Sequence, residues 1–261
     1  MKGGQREGRR EKMEGRWKLC LLPVILGFVF AQTSIAQPAT PDIVVSVKFG
    51  EGGGRGEEHM PESLLGFPDS TARENVPTID PAQVLSLGLG GEIILRFEQV
   101  VIVDGPGVDF TVFENAFIYR IGEKDRIYAE PAEVAVSRDG SVFTPFPFDS
   151  LSLEGCAGIT PTFGDMDPGN PEASGGDGFD LAELGLDSIR FIRIRDVSEI
   201  VKGNSSHPFY DVTVNGFDLD AVVGIHTVRN GFVSDVEEDV FVESWPYSRG
   251  AKQLQLDLRA Q

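Results

Sequence analysis

Aspartates recur beside or inside short apolar, β-prone runs, and no other feature of this chain constrains its fold as much. The segments are VDGPGVDFTVFEN (103–115), SGGDGFDLAEL (174–184), RFIRIRD (190–196) and NGFDLDAV (215–222). A carboxylate set against a strand that buries its apolar face must find a cation or a hydrogen-bond donor. Around these motifs the apolar residues alternate with period two, as in Ile93, Leu95 and Phe97 or Val45, Val47 and Phe49. No long amphipathic helix and no repeat unit is visible. Short strands separated by turn signals predict an all-β chain: a jelly-roll β-sandwich of two antiparallel sheets, with long Gly/Asp-rich loops and at most short helical turns.

The expected strands fall at 43–49, 84–88, 92–97, 109–117, 188–197 and 217–228, with a hairpin over 132–146 turned by Arg138-Asp139-Gly140-Ser141. Residues 179–186 read as one helical turn with Asp180 near its start. The stretches 50–62, 64–80 and 150–178 read as loops.

The N-terminus has a different character. Lys2, Arg6, Arg9, Arg10, Lys12, Arg16 and Lys18 precede an apolar stretch at 19–31, and Ser34-Ile35-Ala36 fits a small-x-small cleavage site. This is the build of a secretory signal peptide, too short in its apolar core for a comfortable span. The expected organisation is a signal peptide over 1–36, a short flexible linker over 37–42, the sandwich domain over 43–230 and a charged C-terminal appendage over 231–261. The implied location is secreted or cell-surface, with no membrane span in the mature chain. Cys20 would leave with the leader, and Cys156 alone cannot form an intramolecular disulfide, so the expected sources of stability are the core and a bound metal. The formal net charge of −18 disfavours nucleic acid and anionic membrane and attracts divalent cations.

Calcium takes six to eight oxygens and is suited by loops that combine Asp, Asn and Gly. The candidate ligands are Asp104, Asp109, Asp177, Asp180, Asp218 and Asp220. Asp218 and Asp220 sit two apart on one expected strand, which sets their side chains on one face about 7 Å apart, where they repel unless a cation intervenes. The competing account pairs them with Arg193 and Arg195 in a cross-strand ladder. Asp165-x-Asp167-x-Gly169 resembles a calcium loop only superficially, because its glycine comes one place early and the twelfth position is not Glu. Glu114 and Asn115, at the end of a β run, are a polar pair for a ligand mouth or an anchor for loop backbone. Tyr119, Tyr128 and Tyr210 are the loop aromatics available to a glycan, since Trp17 lies in the leader and Trp245 in the tail.

Several chemistries lack their residues. His59, His207 and His226 have no zinc-ligand spacing. The Gly-rich run 50–62 lacks the ending of a phosphate loop, and no Gly-x-Ser-x-Gly elbow occurs. Cys156 has no basic neighbour in sequence and reads as a small buried residue.

The motifs LSLGLGGEIILRFEQVVIVDGPGVDFTVFENAF, EVAVSRDGSVFTPF, GFDLAELGLDSIRFIRIRD and GFDLDAVVGIH resemble a family of bacterial exported "cell surface proteins", over about 44–226. More loosely, the hairpin at 134–143 and the strand at 190–194 resemble discoidin-like and galactose-binding-like jelly rolls, including carbohydrate-binding modules. That resemblance implies an eight-stranded sandwich, a structural calcium and a ligand surface made of loops. The expected function is a non-catalytic exported or cell-surface binding module stabilised by calcium, whose partner is an extracellular glycan or a cell-surface protein. The alternatives are a carbohydrate-binding module proper, marked by an exposed aromatic platform; a structural envelope protein, with neither platform nor cleft; and a carboxylate-based glycoside hydrolase, marked by two facing acids in a deep cleft.

Overall fold

The computed structural model describes residues 37–230, besides Met1. The proposed leader and the C-terminal appendage, with Trp245, lie outside the described residues. Strands come in quick succession: β1 (Ile43–Lys48), β2 (Leu85–Ser86), β3 (Glu92–Arg96), β4 (Val100–Val103), β5 (Phe110–Glu114), β6 (Phe117–Ile121) and β7 (Lys124–Tyr128). They continue with β8 (Ala132–Ser137), β9 (Thr144–Pro145), β10 (Asp177–Phe179), β11 (Ser188–Ile189), β12 (Phe191–Asp196), β13 (Asp218–Gly224) and β14 (Thr227–Arg229). Among the described residues helix is confined to single turns such as Leu181–Leu184 and Glu199–Lys202.

The fold is an all-β sandwich of antiparallel sheets. A five-stranded sheet runs β1-β3-β12-β8-β9 and a four-stranded sheet runs β10-β5-β13-β2. A three-stranded ribbon (β11-β4-β14) and the β6–β7 hairpin add to the two main sheets. The sheets face each other through one core, to which the first gives Val47, Ile93, Leu95, Val134, Ile192 and Ile194 and the second gives Leu85, Phe110, Val112, Leu219 and Val222. Full burial of side chains of this size stabilises by about 1.5–3 kcal/mol each before entropy is counted. Phe110 stacks on Phe179 at 5.2 Å, and Phe146 closes the group 4.9 Å from Phe179.

Three expectations need correction. The Arg193/Arg195 ladder with Asp218/Asp220 does not form, because β12 and β13 belong to different sheets. Arg193 instead lies between Glu92 (3.9 Å) and Glu133 (3.7 Å) and over the Phe143 ring. The strict alternation expected of β13 also breaks: the register with β5 shifts between Leu219 and Ala221. Leu219 and Val222 therefore both reach the sandwich core, while Ala221 and Val223 pack with Phe113 outside it. Finally, 37–42 is not a loose linker. Ala39 pairs with Gly224, and Asp42 Oδ2 accepts from the N–H groups of Glu98 and Gln99.

Candidate metal centre

Asp109 sits immediately before β5, and Asp180 immediately after β10. Antiparallel pairing of these strands sets Phe179 opposite Phe110, which brings the two aspartates to one sheet end. The loop between β4 and β5 carries Asp104 to the same place. Ligand atoms of Asp104, Asp109 and Asp180 all lie within 4.8 Å of one another.

Each carboxylate has a different status. Asp109 is fully buried; its Oδ1 accepts from Gly105 N (2.8 Å) and lies 2.8 Å from His226 Nδ1, and its Oδ2 accepts from Leu181 N (2.7 Å). With two acceptor sites per oxygen, one site remains on Oδ2. Asp180 caps the turn Leu181–Leu184 by accepting from Ala182 N through Oδ1, which leaves Oδ2. Asp104 is exposed. A hard cation at this point would meet three carboxylates, one of them rigidly held, with water and backbone carbonyls left to complete its shell. The donor set, all oxygen with two partly engaged ligands, fits calcium better than zinc.

The other expected metal ligands lie elsewhere. Asp177 Oδ2 accepts from Gly158 N (2.7 Å) and Ile159 N (3.1 Å), so it anchors the 150–178 loop; burial pushes its carboxyl up to about 6. Asp220 accepts from Asp69 N, at 3.1 Å to each oxygen, and burial raises it to about 7. Asp218 Oδ2 accepts from Asn115 Nδ2 (2.9 Å), whose amide also donates to Thr78 O. Asn115 thus ties the loop over 64–80 to β13. Burial lifts the Asp218 carboxyl above its ordinary value.

Glu114 and Glu130 are closed to solvent, at 1% and 2% exposure. Burial raises both carboxyls, Glu114 well above the carboxylate range and Glu130 to about 8. Of the expected aromatics, Tyr119 and Tyr128 line the β6–β7 hairpin around Phe117, whose ring stacks on Tyr128 at 5.1 Å. Tyr210 lies apart, in the 203–217 loop.

Sequence reasoning missed Phe67 and Met166. Among the exposed large apolar side chains (52% and 48%), these two line one concavity of about 550 Å³ with Pro38, Pro68, Ser70 and Asp167. The concavity is firmly framed: Gly164 N donates to Ala72 O, and Arg73 pairs with Asp165 at 3.4 Å. Neither loop has periodicity, so only their tertiary approach reveals the site. His226 was considered for zinc alone, and its bond to Asp109 has no local signature.

Comparison with known proteins adds little. No family model matches the chain, and no curated protein matches it. A solved truncated AlyQ with CBM32 and alginate lyase domains is similar at 14% identity and a TM-score of 0.29, over 74% of this chain and 34% of that one. The chain thus spans about a third of that protein's length. Among the described residues no helix is long and apolar enough to cross a membrane.

Proposed function

We propose that this chain is an exported, non-catalytic binding module whose loop rim is fixed by calcium at Asp104, Asp109 and Asp180. The convergence of these three carboxylates carries the reading. In this role the ion neutralises like charges at one end of the sandwich and clamps the β4–β5 loop to the turn after β10. Binding to the native state alone would add stability by mass action. The buried position of Glu114 and Glu130 argues against their use as a hydrolytic pair, since substrate has no path to them. The test is thermal unfolding in EDTA with calcium or magnesium added back. A calcium-selective rise in melting temperature that Asp104→Ala and Asp180→Ala abolish is expected; no shift in the wild type sinks the calcium reading.

A carbohydrate-binding module proper is the second reading, favoured by the concavity under Phe67 and Met166. Its lining combines Phe67, Met166 and three prolines with Gln37, Ser70 and Asp167, and includes no Lys or Arg. Apolar surface beside a few polar groups suits a neutral saccharide. Calorimetric titration with neutral oligosaccharides checks it: binding that Phe67→Ala removes supports the module, and binding indifferent to Phe67→Ala places the ligand elsewhere.

A further inference from the structure

The backbone segment 215–218 is held by buried acids. Asn215 N and Gly216 N donate to Glu130 Oε1 (2.5 and 2.9 Å), Phe217 N donates to Asp196 Oδ2 (2.8 Å), and Asp218 N donates to Glu114 Oε1 at a long 3.4 Å. Asp196 is well satisfied, with Gly90 N and the Ser198 hydroxyl as further donors. Glu114 is less so: among the described residues its Oε2, sealed from solvent, has no hydrogen-bond partner, and the same holds for Asp218 Oδ1, although the Asn115 N–H acts on the Glu114 carboxyl and the Ser86 side chain on that of Asp218. A desolvated carboxylate oxygen without a donor costs several kcal/mol, so a proton, a cation or a buried water is called for there.

The surroundings favour the proton. Glu114 feels the charges of Glu130 and Asp218, and Glu130 those of Asp218 and Asp196. Tyr128, itself raised by burial, stands beside both Glu130 and Glu114, and Asp211 acts on it from the 203–217 loop. The cation felt in this group is Arg55, which acts on Asp218. Among the described residues only Asp104, Asp109 and Asp180 converge as three metal-capable ligands, so this acid group lacks the geometry of a metal cage.

We propose that Glu114 and Glu130 form a proton-operated clamp: one proton held by the pair closes the grip on 215–218, and its loss opens that segment. In the closed state the carboxyl O–H of one glutamic acid gives Glu114 Oε2 its missing role, as donor or acceptor, within the pair. In the open state the proton passes to solvent, both carboxyls are charged beside Asp218, and their repulsion loosens the segment they hold. Movement would spread along existing bonds. The 203–217 loop is joined to the β6–β7 hairpin through Tyr119 Oη to Asp211 (3.1 Å) and Arg126 to Pro208 O (3.1 Å). The Phe117–Tyr128 aromatic stack is carried on the same hairpin. The clamp therefore makes the order of this aromatic surface depend on pH.

Amide hydrogen exchange of Gly216 and Asp218, corrected for the intrinsic base-catalysed rate, reads the clamp. If one proton is released on opening, protection falls tenfold per pH unit between the titration of the opened carboxyls and that of the closed pair and levels off above it, measured between about pH 5 and pH 9. Glu114→Gln supplies a permanent donor, so it should abolish this slope while retaining protection at the alkaline end. A slope unchanged in both Glu114→Gln and Glu130→Gln overturns the proposal. Restoration of protection at alkaline pH by millimolar calcium that persists in Asp104→Ala, where the other cation site is disabled, also overturns it, in favour of a cation at the acid pair. If the variants do not fold, carboxyl ¹³C titration of wild-type Glu114 and Glu130 decides. One group titrating near or above neutrality supports the clamp, and both titrating in the ordinary carboxylate range refutes it.

Discussion

Asp109 binds three separate pieces of chain with one side chain: the β4–β5 loop through Gly105 N, the turn after β10 through Leu181 N, and the β13–β14 turn through His226. Its backbone adds to this, since the carbonyl accepts from Ile225 N at 2.7 Å. Removing the carboxylate leaves two backbone donors unsatisfied at a closed site. Asp109→Ala should therefore cost about 3 kcal/mol, read by urea unfolding, even in EDTA. Asp104→Ala, at an exposed position, should change stability in EDTA by less than about 0.5 kcal/mol. The contrast separates a structural carboxylate from one that serves only an ion. All three aspartates could be named from the sequence, because each stands beside an apolar run. Which of the six candidates meet was hidden, since it depends on β10 finding β5.

At the scale of elements, the junction between the β2 segment and β13 is a close backbone approach. Gly216 has φ +114°, and a Cβ there would lie 2.3 Å from the Gly88 carbonyl carbon. Gly216→Ala should therefore destabilise by more than about 2 kcal/mol in chemical denaturation, through both backbone strain and the clash. The face of the five-stranded sheet around Arg193 is more tolerant. Arg193 is half-buried between Glu92 and Glu133, and its guanidinium lies 5.0 Å from the Phe143 ring centroid. Arg193→Ala should cost about 1 kcal/mol in the same measurement, in keeping with a partly screened pair and one cation–π contact. Strands with regular alternation, such as β3 and β12, were legible in the sequence. The β6–β7 hairpin was not, because FIYRIGEKDRIY is half-exposed and its apolar residues mark no clear inner face. The β13 bulge was equally hidden: two aspartates at even spacing look like a regular strand until the pairing with β5 is known.

For the molecule as a whole, the direction of pH dependence is set by buried acids. Burial raises Asp177 to about 6, Asp220 to about 7 and Glu130 to about 8, and lifts Glu114 and Asp218 as well. A carboxyl whose folded pKa exceeds its unfolded value binds its proton more tightly when folded. Its contribution is full below the unfolded pKa of about 4 and is lost as pH rises through the folded value. Asp139, held down to about 2 by the turn N–H groups of Ser141 and Val142, acts in the opposite sense at lower pH, and so do Asp149 and Asp211. The melting temperature in EDTA should accordingly fall as pH rises from about 5 to about 8.5. A flat profile, or a rise, would show that these acids ionise inside the fold without cost.

By itself the sequence determined the all-β class, the approximate strand positions and the set of acids able to meet a cation. These follow from local chemistry: side-chain alternation, turn residues and the need of a carboxylate for a partner. Tertiary structure alone decided which acids gather into a site, because Asp104, Asp109 and Asp180 come together through a strand pairing about seventy residues apart in sequence. It also decided that Glu114 and Glu130 are sealed from water and that Phe67 and Met166 share a concavity. Burial and convergence arise from how elements pack, and no local pattern of residues encodes the environment another segment will supply.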